Sequence, residues 1–160
     1  MQRITPFLWF DTQAEEAARF YASIFKNSKI VGITHYGDDG PGPKGSVMTV
    51  AFELNGEKFV ALNGGPHFKF TEAVSFVINC ETQDEIDYFW EKLTADGGSE
   101  VQCGWLKDKF GLSWQVVPEV FWKWAEERDS AGFERAMHAL MEMKKLDLPT
   151  LQRAYAGRSS

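Results

Sequence analysis

The chain has 160 residues, 44% of them hydrophobic, enough for one domain or for two small modules sharing a core. Twenty-three acidic against 17 basic side chains leave a formal charge of −6, which argues against a nucleic-acid partner because that binding neutralises phosphates with a basic surface. Thirteen Phe, six Trp and four Tyr supply the apolar area that a disordered chain lacks.

The first apolar run, Ile4 to Phe10, contains Pro6 and stops at Asp11. It has neither the length of a membrane span nor the charged start of a signal peptide, so the expected location is cytoplasmic, with no membrane partner. Thr5 to Phe10 reads as a strand. Asp11-Thr12 then supplies a helix start, with Glu15 at capping-box spacing from Thr12. Ala17, Phe20, Tyr21, Ile24 and Phe25 recur with helical period. Ser28 to Tyr36 is β-rich, and the Gly- and Pro-broken segment Asp38 to Gly45 predicts an irregular loop, a candidate lid. In Ser46 to Leu54, the residues Met48, Val50, Phe52 and Leu54 take one face and Thr49, Ala51 and Glu53 the other. Asn55-Gly56 signals a two-residue hairpin with Glu57 to Asn63 returning.

The same order then restarts. Val74, Phe76 and Ile78 alternate as a strand, Thr82 and Glu85 repeat the capping box, and Ile86, Phe89, Trp90 and Leu93 form a helical stripe stopped by Gly97-Gly98. Short β-prone pieces follow at Glu100 to Gln102 and around Trp105, and Leu112 to Val117 ends at Pro118. A shift of 69 residues lays Phe89-Trp90 on Phe20-Tyr21 and Phe76 on Phe7, a weak internal repeat. Beyond Pro118 the chain turns helical: Phe121 to Arg128, then a stripe of Phe133, Met137, Leu140 and Lys144, then a helix opened by Asp147-Leu148-Pro149. Cys80 and Cys103 have no metal-ligand spacing and are read as two buried free thiols.

The doubled strand–helix–strands unit, the Phe20-Tyr21 pair and the run Cys103-Gly104-Trp105-Leu106-Lys107-Asp108 through Ser113-Trp114-Gln115-Val116-Val117-Pro118 together resemble a known family. The chain is similar to the PhnB-like, demethylubiquinone methyltransferase-like branch of the vicinal oxygen chelate superfamily, the group of glyoxalase I, extradiol dioxygenases and bleomycin-resistance proteins. The similarity is expected to extend into the tail around Met143-Lys144-Lys145. What it implies is an α+β fold of paired βαβββ modules, glyoxalase/bleomycin resistance-like, with a helical C-terminal extension. The modules are placed at 1–66 and 67–118 and the extension at 119–160, one structural domain overall. The resemblance further implies that their curved sheets enclose a cup and that the expected assembly is a homodimer.

Enzymes of the superfamily hold a divalent metal in that cup. The corresponding positions here are Ile4, Ala73, Asn63 or Ala61, and Gln115. Hard and borderline dications need carboxylate or imidazole donors, so the expectation is no metal and no cofactor, with Glu72 the one neighbour able to ligate. The branch's methyltransferase label meets a similar difficulty. Gly64-Gly65 follows a hairpin strand and Gly97-Gly98 ends a helix, and neither is the strand-to-helix turn that holds such a donor.

Without a metal the cup is an apolar pocket with a few polar groups. Alternation points Thr49, Glu53, Ser75, Ser113 and Gln115 into it, with Asn63 and Trp105 beside them as ligand-binding candidates. Glu53 is the best catalytic candidate, against its role as a solvated strand-end residue. Lys107 with Asp108 reads as a turn-fixing charge pair, and Phe20, Tyr21, Phe89 and Trp90 as helix-to-sheet packing. His35, His67 and His138 are given no catalytic part. The reading is a metal-independent small-molecule-binding protein of unknown ligand. The alternatives are an enzyme (metal-dependent lyase or dioxygenase, acid/base chemistry through Glu53, or the methyltransferase of the family label) and an interaction module working through its tail.

Overall fold

The computed structural model describes residues 2–127 and 130–158. The chain forms two compact units, Met1–Phe70 and Thr71–Ser160.

The first unit runs β1 (Phe7–Phe10), α1 (Ala14–Ile24), β2 (Lys29–His35), β3 (Val47–Leu54) and β4 (Glu57–Asn63). Its sheet has the order β1-β4-β3-β2, with β1 parallel to β4 and the other pairs antiparallel. The pleat sends Leu8, Phe10, Val50, Phe52, Leu54 and Ala61 to the face that buries Ala17, Tyr21 and Ile24 of α1. Tyr21 stacks on Phe52. Each such large apolar side chain is worth about 1.5–3 kcal/mol buried, which explains why an 11-residue helix of marginal intrinsic stability forms here. Asn55 and Gly56 both have positive φ, as the expected hairpin requires.

Two local expectations change. The Thr12–Glu15 capping box does not form: the helix starts one residue later, after Gln13, which makes no side-chain cap. The N–H of the buried Ala14 instead donates to Asn63 Oδ1 at 2.8 Å, a cap supplied by the neighbouring strand. Nor is the 38–45 loop an open lid. It is closed on the buried Tyr36, whose ring packs against Gly40 and Gly42 and whose hydroxyl donates to the Asn63 carbonyl.

The second unit repeats the order with β5 (Ser75–Cys80), α2 (Gln83–Thr94), β6 (Ser99–Glu100), β7 (Trp105–Lys107) and β8 (Ser113–Pro118), the sheet running β5-β8-β7-β6 with β5 parallel to β8. Here the capping box is real: Glu85 N donates to Thr82 Oγ1, and the Glu85 carboxylate takes the N–H of Glu81. A 3₁₀ turn, Ala95–Gly97, follows α2 before the expected glycine stop. The helices match at the predicted shift of 69, since Ala17, Tyr21 and Ile24 lie over Ile86, Trp90 and Leu93, all buried. The strands match at 70, Leu8 and Phe10 over the buried Ile78 and Cys80, because the second strand-to-helix link is one residue shorter. Cys80 is buried, whereas Cys103 is only half-buried; both are free.

Three further helices close this unit: α3 (Val120–Glu126), α4 (Ser130–Leu140) and α5 (Leu148–Ala156). The expected reach of α3 to Arg128 lies outside the described residues. Phe121, Trp124, Ala136, Leu140, Leu146 and Leu151 form a core around Val117, and Trp124 stacks on Tyr155. The α4 stripe was expected to reach Lys144, but the helix stops at Leu140. Leaving the helix frees the backbone beyond it to pair elsewhere. Cys103 N and Gly104 N donate to the carbonyls of Met143 and Lys144 at 2.7 and 2.8 Å. Gln83 completes the docking, donating to Leu146 O and accepting from Leu148 N, and Lys145 pairs with Asp87 at 2.8 Å.

Candidate functional site

Each sheet has one face under its helix and a second face, and the candidate ligand residues fall on the second except Asn63, which shares the helix face with Ala61 and Phe10. On the first sheet, register sets Thr34, Thr49, Leu62 and Trp9 in one row and Gly32, Ala51, Val60 and Phe7 in the next. The Thr34 and Thr49 hydroxyls bond each other. Trp9 donates to Gly65 O, and its ring lies over Gly64 so closely that a Cβ there would stand 2.3 Å from it.

The other two first-unit candidates are engaged by their own strands and loops. Asn63 spends its amide on Ala14 N and on Val47 O, at 2.8 and 3.1 Å. Glu53 stands across from Lys29 on one side and Lys58 on the other, with Lys29 Nζ 4.0 Å away. Lys29 is thus an ion-pair partner for Glu53 on the same sheet.

The second sheet is arranged differently. Its helix-side face carries Phe76, Ile78, Trp114, Val116 and Leu106, register neighbours across β5, β8 and β7. The opposite face holds three rows: Ser75, Ser113 and Lys107; then Val77, Gln115 and Trp105; then Asn79 and Val117. Four of the sequence candidates, Ser75, Trp105, Ser113 and Gln115, therefore lie on one continuous surface. Gln115 Nε2 donates to Ser75 Oγ at 2.9 Å. Ser113 is 1% exposed, and among the described residues its hydroxyl has no hydrogen-bond partner. Such an orphan costs free energy that a bound group can return. Val77, by contrast, is exposed in the middle row.

The two ends of this face were not legible in the sequence. At one end Lys107 pairs with Glu72. That contact holds the Glu72 carboxyl below its ordinary range, first through the hydrogen bond from Lys107 and then through its charge. Asp108 does fix the turn: it accepts from Phe110 N, Leu112 N and Trp114 Nε1 at 2.8, 3.1 and 2.9 Å. At the other end α3 closes over the last row. Val117 enters the extension's core and Trp122 Nε1 donates to Asn79 Oδ1 at 2.8 Å. Glu72 with Lys107 and Asn79 with Trp122 are 35 and 43 residues apart in the chain, so no local pattern announces either pair.

The donor set does not suit a divalent metal. Among the described residues no three of His, Cys, Asp and Glu gather closely enough to hold one. Ile4, Ala73 and Ala61 offer no side-chain donor atom, Asn63 uses its amide internally, Gln115 brings only a neutral carboxamide oxygen, and Glu72 is paired with a lysine. His35, His67 and His138 are all exposed.

A family model described as 3-demethylubiquinone-9 3-methyltransferase matches residues 2–117. The match is narrower than expected, since the tail around Met143 lies beyond it. Among solved structures, a putative 3-demethylubiquinone-9 3-methyltransferase, PhnB protein, from Bacillus cereus is 40% identical, with 72% of this chain and 99% of that one covered at a TM-score of 0.65. Protein PA1353 from Pseudomonas aeruginosa is 21% identical over 74% of this chain and 98% of its own, at 0.60. The monoclinic form of the fosfomycin resistance protein FosX from Listeria monocytogenes is 14% identical over 79% and 98%, at 0.54. The last two similarities concern the fold alone. No curated protein matches the chain.

Proposed function

The chain belongs to the 3-demethylubiquinone-9 3-methyltransferase family, a PhnB-like branch of the vicinal oxygen chelate superfamily, and on that premise we propose that it binds a small molecule, without a metal, on the face of its second sheet opposite α2. The observation that carries the reading is the buried, unpartnered hydroxyl of Ser113, set among Ser75, Val77, Trp105 and Gln115. A largely apolar surface with a few converging polar groups is how small-ligand sites are built. The first sheet's Thr49 row is a second, weaker surface. Asn63 leaves the ligand set because its amide is already used, and Glu53 because it faces Lys29 on the first sheet.

An enzymatic reading finds less support. Glu53 serves as an ion-pair partner, and the family's metal positions carry no dication ligands. The family description names methyl transfer, but Gly64 lies beneath Trp9 and Gly97 sits in the turn closing α2, so neither glycine pair forms a donor-holding loop. The assembly in this reading is a cytoplasmic homodimer. Among the described residues no helix is long and apolar enough to cross a membrane.

Thermal-shift screening against neutral metabolites and antibiotics tests the proposal. A ligand at a hundred times its Kd adds about 2.7 kcal/mol to stability, and the shift is expected to survive EDTA. Shifts that appear only after loading with Zn, Mn, Ni or Fe would overturn it.

A further inference from the structure

We infer that the helical extension completes this ligand face, with Trp122 as an aromatic plate at its end, and that the face selects flat, uncharged molecules. The inference rests on the reading above and adds the ligand class. Asn79 shares its pleat direction with Ser75 and Val77, so its amide leaves the sheet on the candidate face. By holding the indole N–H of Trp122, that amide fixes the ring at the β5 end of the face. Trp122 is still 43% exposed, so its ring has surface to give a ligand. Phe121 and Trp124 are buried in the extension's core and hold α3 in place, so the position of the plate does not depend on Trp122 alone. Trp105 lies in the adjoining row, two strands across. Between the two indoles the floor is Val77 and Gln115.

Charge decides the rest. Lys107 is the cation of the three rows, and Glu72 neutralises it. On these three rows an anion or a cation would give up water and meet no charge but the paired Lys107, whereas a neutral ring loses little and gains stacking. Trp122 lies beyond residue 117, where the family match ends. The selectivity it confers is therefore a property of this chain's extension and not of the family core.

Isothermal titration of the full chain with 1-naphthol, 1-naphthoate and 1-naphthylmethylammonium tests this, since the three probes share one ring system and differ in charge. Naphthol is expected to bind, with each ion at least ~10-fold weaker. Trp122→Ala is expected to cost naphthol ~10-fold, and Trp122→Phe, which keeps a ring, much less. Glu72→Gln, which frees Lys107, is expected to raise naphthoate affinity several-fold. Melting curves establish that each variant is folded, and the wild-type charge series with Glu72→Gln carries the test if Trp122→Ala is not. Naphthol affinity untouched by Trp122→Ala, or naphthoate bound by the wild type as tightly as naphthol, overturns this inference and leaves the binding site standing. A wild type that binds none of the three, with no shift from any neutral compound in the wider screen, removes the site as well.

Discussion

At the scale of single residues, Ser113 makes the sharpest demand. A buried hydroxyl without a partner is a cost carried by the free protein, so Ser113→Ala is expected to raise unliganded stability by ~1 kcal/mol, read by urea denaturation, while weakening ligand binding. A destabilised alanine variant would mean that the hydroxyl is already satisfied and would remove the main support for the site. The two thiols separate as clearly. Burial, with a smaller push from the Glu85 charge, raises the Cys80 thiol to about 12, while Cys103 is half-buried. An alkylating reagent near neutral pH is expected to modify one thiol per native chain, at Cys103, and the second only on unfolding. Equal reactivity of both would contradict the packing around β5. Alternation within a strand was enough to place Ser75, Ser113 and Gln115 on one face. It could not show what Asn63 does, because its partners Ala14 and Val47 are 49 and 16 residues away.

Among elements, the two modules solve the same problem in different ways. Both helices begin beside the end of a strand, yet α2 is capped by its own Thr82 and α1 by Asn63 of β4. The sequence showed two identical capping boxes, and only the second forms. The extra residue between β1 and α1 carries Thr12 out of position, and the same residue accounts for strands that repeat at 70 while helices repeat at 69. Substitution distinguishes the two caps. Thr82→Ala is expected to cost ~1 kcal/mol, as a lost N-cap does, and Thr12→Ala less than ~0.5 kcal/mol. Asn63→Ala leaves both Ala14 N and Val47 O unpaired and is expected to cost ~2 kcal/mol or more. A Thr12 variant as damaging as the Thr82 one, in chemical denaturation, would show that the first box does form.

For the molecule as a whole, the doubled module was legible because hydrophobic periodicity and turn signals survive divergence. The position of the extension was not, because its contacts join distant segments. It docks on the second unit through Gln83, Asp87, Cys103 and Gly104, and this arrangement makes its attachment sensitive to acid. The Asp87 carboxyl lies below its ordinary value of 3.8, held there first by the hydrogen bond from Lys145 and then by that from Gln83. Because the folded value is the lower one, the stabilisation is complete above the unfolded value and disappears as pH falls through the folded one. The Lys145 and Asp87 side chains are each more than 40% exposed, so the effect is a loosening of the docked segment rather than acid unfolding. The amides of Cys103 and Gly104, bonded to Met143 and Lys144, report on that segment directly. Their hydrogen exchange, corrected for its intrinsic pH dependence, is expected to lose protection below about pH 4 in the wild type. In Asp87→Asn protection should be lower at neutral pH and flat across the same range. The Glu72–Lys107 pair also titrates in acid but lies on a different part of the unit, so it leaves this reporter unchanged. An Asp87→Asn chain whose Cys103 and Gly104 amides follow the wild-type acid profile would show that the Lys145 contact does not hold the extension in place.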